Sequence, residues 1–205
     1  MTKRFLIVIA MVLVLGGATL FFHRRASATT TPVPIPILNP RFDIDVLTCS
    51  PGSNCDQYGI TGWITGPSTY VAKFSPTQYP HAPSTGLYLA AIGTSSSTGS
   101  ILQNLAATVQ ANTTYTLSVE VGAREDYAFT GYTVSLGAGS IVLATGHTAT
   151  PVGGSFVTEV VTYESGATPA QLGEPLQILI TSSGTTSVGQ VDIEDVALTA
   201  APTAP

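Results

Sequence analysis

The sequence predicts an all-β protein: an antiparallel β-sandwich of the jelly-roll type with about ten short strands. Three observations predict it. Apolar residues recur at every second position along most of the chain, no segment carries a long apolar face of 3.6-residue period, and Gly, Ser, Pro and Asn punctuate the alternating runs. A charged fraction of only 9%, with abundant Thr, Ser, Gly and Val, fits an extracellular β-domain better than a cytosolic enzyme.

At the N-terminus, Lys3 and Arg4 precede an apolar run from Phe5 to Phe22, followed by Arg24, Arg25 and Ala26-Ser27-Ala28. A charged start, an apolar middle and an A-x-A site predict a signal peptide over 1–28 and a secreted or cell-surface protein. A run of this length also reaches the lower edge for a membrane span, so an uncleaved anchor is the alternative, and the only route to a membrane. Residues 29–39 alternate Pro with apolar residues and read as an extended linker.

The sandwich is expected over 40–199. Its first strand, near 41–47, would bury Phe42, Ile44 and Val46 and turn Asp43 and Asp45 outward. Next come Cys49 and Cys55, in a C-x5-C spacing that is neither the C-x-x-C of redox proteins nor half of a zinc site with ligands nearby. In an exported chain they predict a disulfide, which closes a short loop for about 2 kcal/mol of chain entropy. Further strands follow near 61–65, 69–74, 86–92 and 100–105. Near 114–122, Tyr115, Leu117, Val119 and Val121 share a face. Near 130–137, Tyr132, Val134 and Leu136 do the same, and strands near 140–145 and 155–163 follow. Leu176, Ile178 and Ile180 set the strand near 175–181.

The last strand, near 189–198, breaks parity: Val191 and Ile193 are odd, Val196 and Leu198 even. Strict alternation cannot bury both pairs on one face, so a β-bulge is predicted at Glu194-Asp195. Residues 200–205 read as a flexible tail. If the first and last strands are neighbours, Asp43 and Asp195 converge as oxygen ligands of a kind that suits a structural calcium. The alternative is a pair of solvated carboxylates that protect a sheet edge.

After the leader, three basic residues (Arg41, Lys73, Arg124) stand against twelve acidic ones, a formal charge of −9. Nucleic-acid binding needs clustered Lys and Arg and is excluded. No G-x-S-x-G elbow, H-E-x-x-H helix or phosphate-binding loop is present. Glu120, Glu125, Asp126 and Glu159 are the carboxylates a glycosidase would need, but a regular strand or loop setting makes Glu120, Glu125 and Asp126 read as solvated surface. No catalytic residue is assigned and the expectation is a non-enzyme.

Aromatic residues give the candidate ligand site, because a sugar offers an apolar face rimmed by hydroxyls. Trp63, Tyr70, Tyr79 and His81 fall in one Pro-rich stretch, and Tyr127 lies in a second loop. Trp63, between Ile60 and Ile64, also fits a core position; Tyr79, beside prolines, is the best candidate for an exposed platform. Gln103 and Asn104 either contact a ligand or satisfy edge backbone.

The order N-P-x-F-[DE] at 39–43, GW at 62–63, Q-x-L at 103–105, T-Y-T-L-S at 114–118 and [ED]-D-V-x-L at 194–198 resembles carbohydrate-binding modules of the galactose-binding-like jelly-roll class. That resemblance implies a structural calcium at Asp43 and Asp195. Over 39–199, the run VGAREDYAFTGYTVSLGAGSIVLATG is more closely similar to an uncharacterised domain of secreted bacterial surface proteins. The function these likenesses imply is non-catalytic binding of a glycan or cell-surface polysaccharide. The rival is a structural or adhesive protein that assembles through exposed edges; a glycan-active enzyme is a minor alternative.

Overall fold

The computed structural model describes residues 31–48, 55–73, 75–81, 88–93, 97–183 and 189–203. The predicted leader and Cys49 lie outside them. The described residues contain twelve strands and no helix, so none is long and apolar enough to cross a membrane. In chain order the strands are β1 (Val33–Ile35), β2 (Asp56–Tyr58), β3 (Ile64–Thr65), β4 (Thr69–Lys73), β5 (Tyr88–Ile92) and β6 (Ser100–Thr108). They continue with β7 (Thr113–Ala123), β8 (Tyr132–Ala138), β9 (Ile141–Gly146), β10 (Ser155–Glu164), β11 (Pro175–Ser182) and β12 (Val191–Pro202).

The strands form two antiparallel sheets. One runs β10-β7-β12-β5-β4-β2, with β1 also pairing β12; the other runs β3-β6-β11-β8-β9. The predicted sandwich is therefore correct, and its core is the alternating set. Tyr115, Leu117, Val119 and Val121 of β7 are buried against Val134 and Leu136 of β8 and Leu176, Ile178 and Ile180 of β11. The bulge in β12 is present: its register against β7 shifts between Ile193 and Val196. Val191, Ile193, Val196 and Leu198 are consequently all buried, despite their opposite parity.

The predicted first strand does not form. Residues 39–45 fold as a turn in which Asn39 and Phe42 take positive φ of 51° and 62°. Asn39 Nδ2 donates to Asp45 Oδ2 (2.9 Å), and its Oδ1 accepts from the Ile44 amide (3.1 Å). Pro40 has no N–H for a ladder, and Asn and Asp side chains replace ladder bonds with local ones. Phe42 is buried as expected, but Ile44 and Val46 are exposed. The strand paired with β12 is instead β1, inside the stretch read as linker. It is an edge position, where Pro34 is tolerated. β12 likewise runs on to Pro202, into the stretch read as tail.

Trp63 belongs to the core, which corrects its candidacy as a ligand platform. It packs on Phe42 with ring centroids 5.9 Å apart and donates its indole N–H to the Asn39 carbonyl at 3.1 Å. Gln103 is a backbone clasp: Oε1 accepts from the Leu38 amide (2.8 Å) and Nε2 donates to the Leu38 and Gly62 carbonyls. Asn104 bonds Gln177 on the neighbouring strand β11.

Candidate active site

The site grows from one cross-strand row on the outer face of the seven-stranded sheet. Register places Phe156 opposite Gly122, Gly122 opposite Asp192, Asp192 opposite Ala91, Ala91 opposite Tyr70, and Tyr70 opposite Tyr58. Val191 and Ile193 point into the sandwich, so Asp192 points outward between two small residues, Gly122 and Ala91. A Cβ on Gly122 would collide with the Phe156 ring, so that glycine is what lets Phe156 lie across the row.

Loops then cover the acid. The segment 75–81 brings Tyr79 over the sheet, where its ring packs on Phe156 with centroids 4.7 Å apart. The Tyr79 hydroxyl donates to Asp192 Oδ2. On the other oxygen, Gln190 Nε2 donates to Oδ1 at 2.5 Å. Segment 75–81 is tied to the loops after β7 and before β10: the Glu125 amide bonds the Gln78 carbonyl and the His81 amide bonds the Gly154 carbonyl, each at 3.0 Å.

Asp192 ends up 1% exposed. Burial pushes its pKa up to about 6, against the pull of the bonds from Tyr79 and Gln190 and of the Arg124 charge. Burial, with the carboxyl of Asp192 beside it, likewise raises the Tyr79 phenol. Arg124 grips both oxygens of Asp126 (2.9 and 2.7 Å), lies 4.4 Å over the Tyr127 ring and reaches Gln190 Oε1 at 3.5 Å.

Beside this acid opens a cleft of about 700 Å³. Tyr70, Ala72, Leu89, Pro76 and Tyr127 give it apolar wall, and Gln78, Arg124, Asp126, Gln190 and Asp192 supply polar groups. Tyr58 stands edge-on to Tyr70 at 6.0 Å. A largely polar cleft that carries two aromatic rings, next to a buried carboxyl whose pKa is raised towards neutrality, can bring a proton to an organic substrate.

Of the residues singled out from sequence, the structure brings Tyr70, Tyr79 and Tyr127 together here. Tyr79 is a buried partner of the acid, 1% exposed, rather than an open platform. Trp63 is in the core, and His81 is exposed and absent from the cleft wall. Cys55 lines the cleft and is disulfide-bonded. Asp195 faces a separate small hollow with Ser118, Glu120 and Ala197, while Asp43 lies 3.8 Å from Arg41. Among the described residues no three His, Cys, Asp or Glu side chains gather as a metal cluster.

Glu159 is not solvated surface. Burial alone would raise it, but bonds from the Tyr132 hydroxyl (2.6 Å) and the Ala149 and Thr148 amides hold it below the usual carboxylate range. These contacts tie the 147–149 segment to β10 and to Tyr132 of β8, so it is a structural group. Asp192, Gln190 and Arg124 were missed in the sequence. The only signal was the even parity of Asp192 between two inward residues, which by itself describes any solvated carboxylate.

Comparison with known proteins fixes the class. Residues 33–199 match the HpiC1-like family, described as HpiC1 cyclase, and the chain belongs to that family. No curated protein matches it. Among solved structures, it is 28% identical to the Stig cyclase Fisc from Fischerella sp. TAU in complex with (3Z)-3-(1-methyl-2-pyrrolidinylidene)-3H-indole, with a TM-score of 0.74, covering 84% of this chain and 100% of that one. A cyclase of the same organism in complex with 4-(1H-indol-3-yl)butan-2-one is 27% identical, with a TM-score of 0.71 and coverage of 84% and 100%. The arabinose-bound MgGH51 α-L-arabinofuranosidase, 14% identical with a TM-score of 0.52 over 82% of this chain and 26% of its own, shares the fold alone.

Membership of a cyclase family overturns the expectation of a non-catalytic glycan-binding module, and with it the adhesive alternative and the assignment as a non-enzyme. The likeness to carbohydrate-binding modules was a likeness of fold. Indole-derived small molecules, not glycans, are what the related cyclases hold.

Proposed function

We propose that this protein is a cyclase that closes a ring in an indole-bearing or similarly flat aromatic substrate by protonating it from Asp192. The observation that carries the reading is a buried carboxyl, bonded by Tyr79 and Gln190, at the wall of a cleft that Tyr70 and Tyr127 line with aromatic surface. The indole compounds held by the related cyclases support the substrate class.

In the step we envisage, the Asp192 O–H bond breaks and its proton adds to an electron-rich carbon of the substrate. The cation so formed is attacked by a π-bond of the same molecule, a C–C bond closes the ring, and a proton lost from the cyclised cation returns to the Asp192 carboxylate, which restores both. The net change is an isomerisation that requires no oxidant or reductant. Tyr70 and Tyr127 offer aromatic surface to the flat substrate and to the developing cation, and Tyr79 and Gln190 orient the acid.

Incubation of alkenyl indoles in D2O tests this. The expected product has the substrate's mass when made in H2O and carries deuterium when made in D2O. The Asp192→Asn variant, still folded, should be slower by about 10²–10⁴-fold, the usual contribution of a general acid. Equal turnover by wild type and Asp192→Asn would refute the assignment.

A structural calcium at Asp43 and Asp195 belongs to the same reading. Its support is that the Val196 amide bonds the Pro40 carbonyl at 3.1 Å, fastening the Asp43 turn to the β12 bulge. Two carboxylates fall short of the roughly six to eight oxygens calcium takes, so backbone carbonyls would supply the rest. A melting temperature that rises with millimolar calcium and falls with chelator is expected; no change in either would remove the ion.

A further inference from the structure

Asp192 accepts hydrogen bonds on both oxygens, which raises the question of where its proton sits when it is an acid. A side-chain amide is nearly symmetric and can present either its oxygen or its nitrogen to a carboxyl group. Around Gln190 that symmetry is broken by Arg124. The guanidinium has donors only, two of them spent on Asp126, and its remaining nitrogen Nη1 faces Gln190 Oε1 at 3.5 Å. With its oxygen turned to Arg124, Gln190 has only its N–H to offer Asp192 Oδ1. A proton on Oδ1 would meet that N–H head-on, whereas the Tyr79 hydroxyl at Oδ2 can rotate from donating to accepting, so the acid proton is left on Oδ2.

We propose that Arg124 is a positioning residue for the reaction: acting through Gln190, it fixes the proton of Asp192 on Oδ2. The inference deepens the reading of Asp192 as the reacting acid and rests on it. Asp126 and the Tyr127 ring hold Arg124 in place, so the device is a chain from Asp126 to Arg124 to Gln190 to Asp192. The groups around Asp192 are Tyr79 from segment 75–81, Arg124 and Asp126 after β7, and Gln190 before β12; Asp56 and Lys73 line the same cleft from β2 and β4. The Arg124 charge favours the carboxylate and that of Asp126 opposes it.

The test follows the Asp192 carboxyl carbon by NMR across pH in the full chain, with melting temperatures as a control for folding. Arg124→Met should raise the Asp192 midpoint by about half a unit to one unit, and Asp126→Asn, which leaves Arg124 less neutralised, should lower it. Gln190→Met, without either amide contact, should also raise it. In whichever of these variants melts as a folded protein, an unmoved midpoint overturns the inference, and so does an Arg124→Met shift that persists undiminished in the Gln190→Met background, the mark of a bare charge effect rather than of a path through Gln190. Where turnover is measurable, its pH midpoint should move in the same directions. Absence of turnover in the wild type would count against the cyclase reading, whereas the titration decides the role of Arg124 independently.

Discussion

A carboxyl on the outer face of a sheet is ordinarily a solvated group; Asp192 differs because Tyr79 and Gln190 replace its water. The raised pKa has a consequence for stability. Protonated Asp192 is at ease in the fold, so its contribution is fully present below the ordinary carboxylate range near pH 4 and is lost as pH rises through about 6. A shift of roughly two units corresponds to at most about 3 kcal/mol. Asp192→Asn cannot ionise, so urea melts at pH 4 and pH 8 should differ less for this variant than for wild type. Activity should follow the same protonation, falling above pH 6 as the acid is lost. Trp63 makes a contrasting case. Its ring fills the end of the core against Phe42, and Trp63→Ala should cost about 3–5 kcal/mol, measured by denaturant unfolding, whatever ligand is present.

At the scale of elements, strands with clean alternation were readable, and so was the β12 bulge, because burial on one face leaves its period in the sequence. The 39–45 segment was misread for a physical reason: Phe42, Ile44 and Val46 mimic a strand, while Asn39, Pro40 and Asp45 build a turn whose bonds are invisible to a period-2 count. The active-site row was illegible for a different reason. Phe156, Gly122, Asp192, Ala91 and Tyr70 come from five strands spread between residues 70 and 192, and only register makes them neighbours. In the sequence, the segment that turns this row into a buried site shows only its aromatic residues, not the acid it covers. Their seat is the Tyr79–Phe156 pair, so Phe156→Ala should loosen segment 75–81 and cost about 2 kcal/mol, seen in unfolding and in faster proteolysis between residues 75 and 81.

The whole molecule explains why its fold was easier to read than its work. A β-sandwich supplies a rigid two-sheet core, and the same architecture is shared by glycan-active enzymes and cyclases, so fold class alone does not separate them. What separates them is the outer face of one sheet. The measurement that bears most directly on this account is a two-dimensional NMR titration of the full chain with 4-(1H-indol-3-yl)butan-2-one, the compound a related cyclase binds. Saturable shifts confined to residues around Tyr70, segment 75–79, Arg124–Tyr127 and Gln190–Asp192 are predicted, weakened about tenfold in affinity by Tyr70→Ala. Shifts clustered on the five-stranded sheet, or none up to the solubility limit of the ligand, would contradict the claim that this cleft is the active site.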